Sequence, residues 1–103
     1  MKYEELDYIL ERLNFFSEKN GWLYIDQGFH FFLKVNIEKD GYVDFYWNDN
    51  NLFGSTKLED ITAHVLFQLL DKSNMWIGYN FDHYNSVKMD LIRDYSIDQI
   101  ISS

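Results

Sequence analysis

The stretch that most constrains the fold of this chain is residues 29–47, FHFFLKVNIEKDGYVDFYW. Its apolar residues alternate on both sides of Lys39-Asp40-Gly41, a sequence typical of a tight turn. Because successive side chains of a strand point to opposite faces, the pattern predicts two antiparallel strands, 29–37 and 42–48. One face of this pair is expected to be core, and it comprises Phe29, Phe31, Leu33, Val35, Ile37, Val43, Phe45 and Trp47.

The opposite face of the pair mixes aromatic and charged side chains, namely His30, Phe32, Lys34, Tyr42, Asp44 and Tyr46. Such a mixture fits either a second core layer or an exposed binding surface, and both remain open. The segment 22–26, WLYID, also alternates and predicts a third strand that turns at Gln27-Gly28 into the next one. Trp22 and Tyr24 are expected to lie on the aromatic and charged face.

Three segments have apolar residues at the three- and four-residue spacing of helices that pack on a sheet: residues 2–19, 57–72 and 86–101. Gly21 suits the position that follows the end of the first helix. Residues 48–55 are polar and predict a loop, and the sequence from Thr56 to Glu59 fits a helix-capping box.

Residues 75–81 alternate more weakly and predict a fourth strand, at an edge of the sheet. The predicted fold class is therefore α+β, with an antiparallel sheet of three to four strands packed against helices. With 103 residues, the chain is expected to form a single domain, 1–103.

The net charge of −8 is the most informative feature of the composition. The acidic residues are spread along the chain, which indicates a broad negative field that attracts a basic protein and repels nucleic acid and anionic lipid. The alternative is that the charge only maintains solubility. The first residues do not resemble a signal peptide, and no segment approaches the roughly 20 apolar residues of a membrane helix. A cytoplasmic protein without membrane contact is expected.

Motifs for catalysis or cofactor binding are not found in the sequence. Cysteine is absent, and His30, His64 and His83 lack the spacing of metal ligands. There is no nucleophile elbow, phosphate-binding loop or dinucleotide fingerprint. We therefore predict no catalytic residue, no metal and no cofactor. Nucleic-acid binding is also not expected, because a base-stacking face needs basic residues and this one carries Asp26 and Asp44.

In its size, acidity, lack of cysteine, aromatic content of 19% and α+β pattern, the whole chain resembles the small bacterial immunity proteins that neutralise toxins, many of them basic nucleases. The resemblance implies stoichiometric binding of a basic toxin through aromatic side chains surrounded by carboxylates. The candidate partner-binding residues are Trp22, Tyr24, Asp26, Tyr42, Asp44, Tyr46, Asp49 and Asp82.

Two other functions remain open from the sequence. A small enzyme or ligand-binding domain would have a pocket between the sheet and the last helix, with His30 or His83 in it. A structural adaptor would be a homodimer joined through an edge strand or the aromatic face. The sequence does not decide between a monomer and a homodimer.

Overall fold

The α+β class is confirmed by a computed structural model, which describes residues 1–26, 31–48, 51–72 and 81–102. Contacts divide the chain into two compact units, Met1–Ile61 and Thr62–Ser103, which we describe one at a time. The single domain remains a prediction.

Among its described residues, the first unit contains one helix and an antiparallel sheet of five strands rather than the predicted three to four, and each strand pairs with the next one in the chain. Its elements are α1 (Tyr3–Arg12), β1 (Phe16–Glu18), β2 (Gly21–Asp26), β3 (Phe31–Ile37), β4 (Tyr42–Trp47), β5 (Asn51–Lys57) and a 3-10 turn (Leu58–Asp60). The predicted strands 22–26 and 42–48 are confirmed to within one residue. The strand predicted over 29–37 is confirmed from Phe31 onward, and residues 29–30 lie outside the described part of the chain.

The core of this unit lies on one face of the sheet and on the apolar stripe of α1. Its buried members include Leu6, Ile9, Leu10, Leu13, Trp22, Tyr24, Leu33, Val35, Val43 and Phe45. Trp22 joins the two elements, because its Nε1 donates a hydrogen bond to Asp7 Oδ1 at 2.7 Å and its ring centroid lies 5.3 Å from that of Tyr3. Each large apolar side chain buried in this way contributes about 1.5–3 kcal/mol.

The first helix is shorter than predicted, because it ends at Arg12 rather than at residue 19. Asn14 has a φ of 70°, a left-handed conformation that an α-helix cannot include. The chain then reverses into β1, where Phe16 pairs with Leu23. Gly21 therefore begins β2 and does not follow the end of a helix.

The loop predicted over residues 48–55 is wrong, since most of it forms β5, which pairs with β4. The helix predicted from residue 57 also begins later, at Ala63. Its N-cap is Thr62, whose Oγ1 accepts a hydrogen bond from the Val65 amide at 3.2 Å. The capping box that begins at Thr56 is not used, because Thr56 pairs with Val43 in the sheet.

The second unit contains α2 (Ala63–Asp71) and α3 (Phe81–Ser102). The helix predicted over 86–101 is confirmed but begins earlier. Residue 81 is thus helical and not the end of a strand, and residues 75–80 of that predicted strand lie outside the described residues.

A buried tyrosine connects the two helices of the second unit. The ring centroid of Tyr84 lies 5.8 Å from that of Phe67, and its hydroxyl donates a hydrogen bond to the Asp71 carboxylate. Lys88 Nζ forms an ion pair with the same carboxylate, 2.6 Å from Oδ2. Burial raises the pKa of Tyr84, and the hydrogen bond to Asp71 raises it further, so the phenol remains neutral at physiological pH.

Candidate functional site

The surface of the sheet opposite the core, which we call the outer face, is the candidate site. Residues directly opposite each other in an antiparallel pair project from the same face. Lys34 lies opposite Tyr46 and Asn36 lies opposite Asp44, while the core residues Leu33, Val35, Val43 and Phe45 point to the other side. Tyr42, Asp44 and Tyr46 therefore share the outer face, as the sequence predicts.

Trp22 and Tyr24 do not lie on the outer face, so the face predicted for them is wrong. They pair with Val35 and Leu33, which places them on the core face, and only 0% and 5% of their surfaces are exposed. Their rings pack inside the first unit and are not accessible to a partner. Leu23 and Ile25 occupy the outer face of β2 instead.

The other three predicted residues, Asp26, Asp49 and Asp82, are not part of β4. Asp26 ends β2, where its backbone pairs with that of Phe31. Asp49 lies outside the described residues. Asp82 is exposed in the first turn of α3, in the second unit. The predicted residues that the structure brings together are thus those of β4.

The β4 residues form part of an acidic patch, which we define as Glu38, Asp40, Tyr42, Asp44 and Tyr46. Four of these residues, Tyr42 being the exception, line an open hollow together with Lys39. The Asp40 carboxylate accepts a hydrogen bond from the Tyr42 amide at 3.1 Å, which holds the β3–β4 turn. The patch therefore combines three carboxylates with two phenol rings on a fixed backbone.

The carboxylate of Asp44 is oriented by its neighbours. Ser55 Oγ on β5 donates a hydrogen bond to Oδ1 at 2.5 Å, and the Tyr46 hydroxyl makes a longer contact with Oδ2 at 3.5 Å. Burial raises the pKa of Tyr46, and the negative charges of Asp44 and Glu38 raise it further. Tyr46 thus remains a neutral ring in a negative environment, which favours contact with a cation.

Tyr42 makes a cation–π contact of this kind within the chain. Lys57, which lies opposite Tyr42 across β4 and β5, places its Nζ 5.8 Å from the centroid of the Tyr42 ring. An ammonium or guanidinium group of a partner can contact the rings of the acidic patch in the same way.

A second groove shares the lining residues Glu38 and Lys39 with the hollow at the acidic patch. Its volume is about 680 Å³, and it is lined by Glu18, Lys19, Asn20, Lys34, Asn36, Ile37, Glu38 and Lys39. Gly21, which pairs with Glu18 on one side and Asn36 on the other, lies between two residues that line the groove. Ammonium, carboxamide and carboxylate groups line the groove, which suits contact with a polar surface.

Exposed apolar side chains on the outer face were missed by sequence reasoning. Phe16 is 63% exposed, Ile25 49% and Leu52 55%. The sequence predicts a helix at Phe16 and a loop at Leu52, whereas both residues lie in edge strands. In the sequence, Leu23 and Ile25 alternate with Trp22 and Tyr24. This alternation shows that the two pairs lie on opposite faces, but it does not determine which pair is buried.

No match to a known protein-family model, a curated protein or a solved structure was found for this chain. Across the described residues, no group of three or more His, Asp or Glu side chains is placed to hold a metal ion. The helices in that part of the chain include none with the length and apolar character needed to cross a membrane.

Proposed function

We propose that this protein is an inhibitor that acts by protein–protein contact, specifically an immunity protein that binds and neutralises a basic toxin. The observation that supports the proposal most directly is the acidic patch, in which tyrosine rings and carboxylates share an accessible sheet face. Arg and Lys side chains make charge-assisted hydrogen bonds with carboxylates and cation–π contacts with such rings.

The charge of the whole chain supports the same proposal. A net charge of −8 attracts a basic partner over a longer range than the contacts themselves. Complementary charge raises association rate constants from about 10⁵–10⁶ to as much as about 10⁸–10⁹ M⁻¹s⁻¹ at low salt. Fast capture suits a protein that must bind a toxin before the toxin acts.

Charge reversal on the outer face tests the proposal. The partner to use is the protein encoded beside this one in its native genome, co-expressed and co-purified with it. In the variant Glu38→Lys/Asp44→Lys, we expect the association rate constant at low salt to fall at least tenfold, because two carboxylates of the acidic patch become cations. Surface plasmon resonance measures the rate.

The matched control is Glu4→Lys/Glu11→Lys, which makes the same change of charge at exposed positions of α1. In this control, the association rate constant at low salt should fall less than in Glu38→Lys/Asp44→Lys, because these residues are not part of the acidic patch. Equal losses in the two variants would show that only the net charge matters. If the Glu38→Lys/Asp44→Lys variant folds and its affinity is unchanged, the acidic patch is not the binding site.

A further inference from the structure

We infer that the docking face has an apolar half beside the acidic patch, and that together they fit a basic amphipathic segment of the partner; this inference rests on the proposed function. The apolar half, which we call the apolar patch, consists of Phe16, Leu23, Ile25 and Phe32. Phe16 pairs with Leu23, and Ile25 pairs with Phe32, so all four project from the outer face. Phe16 and Ile25 are 63% and 49% exposed.

The two halves are neighbours on one sheet. The apolar patch covers β1, β2 and the start of β3, while the acidic patch covers β4 and the β3–β4 turn. Lys34 joins them, because it lies opposite Leu23 on one side and Tyr46 on the other. Strands lie about 4.8 Å apart, so β2 and β4 are separated by about 10 Å. Leu23 and Tyr46, which lie opposite Lys34 on its two sides, are therefore about 10 Å apart, and a single helix about 10–12 Å wide contacts both.

The net charge of the chain and the three carboxylates of the acidic patch together determine which occupant fits the face. A second copy of this chain would bring its own net charge of −8 against the first, and an anionic lipid surface would be repelled in the same way. A basic segment with apolar residues along one side satisfies both halves, since its cations contact Tyr46 and the adjacent Asp44 while its apolar residues contact Leu23. Such a segment is the occupant we propose.

The two halves are expected to affect different rate constants. Charged groups mainly determine the rate of encounter, whereas a few desolvated apolar anchors carry most of the affinity of an interface. Substitutions in the acidic patch should therefore slow association, and substitutions in the apolar patch should accelerate dissociation.

Two synthetic helical peptides of equal positive charge test this inference without knowledge of the toxin. One carries Lys along one side and Leu along the other, and the second has Ser in place of every Leu. At physiological salt, we expect the amphipathic peptide to bind the full chain at least tenfold more tightly. Phe16→Ser/Ile25→Ser should remove most of this difference and leave binding of the Lys–Ser peptide unchanged.

Met89→Ser is the matched control, because Met89 is 60% exposed but lies on α3 in the second unit. It should leave the difference between the peptides intact. If Phe16→Ser/Ile25→Ser does not fold, Ile25→Thr alone retains a β-branched side chain and should reduce the difference at least threefold.

Three results would overturn the inference: equal binding of the two peptides, a difference that persists in folded Phe16→Ser/Ile25→Ser, or a difference that is lost in Met89→Ser. A solution mass of twice 12.5 kDa that returns to the monomer value in Phe16→Ser/Ile25→Ser would also overturn it, since a second copy would then be the occupant. None of these results decides whether the native neighbour is bound and neutralised, so the proposed function is judged separately.

Discussion

At the scale of single residues, Trp22 lies in the core rather than on the outer face where the sequence places it. Its side chain is fully buried, and its indole N–H is satisfied by Asp7, which lies on α1. A buried donor without a partner costs about 1–3 kcal/mol, so this hydrogen bond is what allows tryptophan to occupy the core.

Trp22→Phe is expected to lower the free energy of unfolding by about 1–3 kcal/mol, because it removes the hydrogen bond to Asp7 and leaves a small void. Urea denaturation followed by circular dichroism measures the change. Ser17→Ala is the control, since Ser17 also donates to Asp7 Oδ1, at 3.2 Å, but from an exposed position. Its loss should cost less than about 0.5 kcal/mol. A Trp22→Phe variant of unchanged stability but weakened partner binding would restore the original assignment.

The misplacement of Trp22 and Tyr24 has a physical cause. Within the hairpin of β3 and β4, alternation alone correctly predicted that Leu33, Val35 and Phe45 share a buried face. The face of β2 depends in addition on its register against β3, and a slip of one residue exchanges the two faces. Both faces of β2 carry large apolar side chains, so its sequence alone does not determine which face points to the core.

At the scale of elements, the two glycines at the ends of strands have different constraints. Gly21 lies so close to β3 that an added Cβ would be 1.9 Å from the Val35 carbonyl oxygen. Gly41, in the β3–β4 turn, has open space around it but a φ of 86°. The first glycine is required by strand spacing and the second by backbone conformation.

Gly21→Ala should therefore lower the free energy of unfolding by more than about 3 kcal/mol, because β2 and β3 must separate to admit the methyl group. Gly41→Ala should cost only about 1 kcal/mol, the usual penalty of a left-handed alanine. Urea denaturation of both variants measures the two losses of free energy, which can be compared if the free energy of unfolding depends on urea concentration with the same slope in both. Similar losses in the two variants would contradict the close packing of β2 on β3.

Elements whose conformation is determined by their own sequence pattern were predicted well. Elements whose conformation depends on pairing with another strand were not. The apolar stripe of α1 identified that helix, although its end at Arg12 is set by the left-handed Asn14. The edge strand β5 is half-exposed and rich in polar residues, so it lacks the alternation of a buried strand. Its conformation follows from pairing with β4, and such context regularly overrides local propensity.

At the scale of the whole molecule, the pattern of residues predicts the fold class and the composition predicts the net charge. The α+β class and the net negative charge were both evident from the sequence, whereas the position of the proposed binding face was only partly so. Of the residues proposed for the site, those on β4 are gathered on the outer face because alternation within one strand determines their direction. The apolar patch required the register of three strands.

The net charge of −8 leads to a prediction about the free protein and its complex together. Self-repulsion destabilises a compact acidic chain, and the distance over which charges interact falls from about 30 Å at 0.01 M salt to about 10 Å at 0.1 M. Sodium chloride added over this range should raise the free energy of unfolding by about 0.5–1 kcal/mol and slow association with a basic partner.

Salt also weakens the attraction within the ion pairs Lys88–Asp71 and Arg93–Asp90, which lowers the free energy of unfolding. Solvent-exposed pairs of this kind contribute only about 0–1 kcal/mol each. Urea denaturation and stopped-flow association, measured in the same buffers, give both quantities. Glu4→Lys/Glu11→Lys should show a smaller gain of stability with salt, because it has less self-repulsion to screen. If salt destabilises the wild-type chain instead, attraction between specific charges outweighs the general repulsion within the fold.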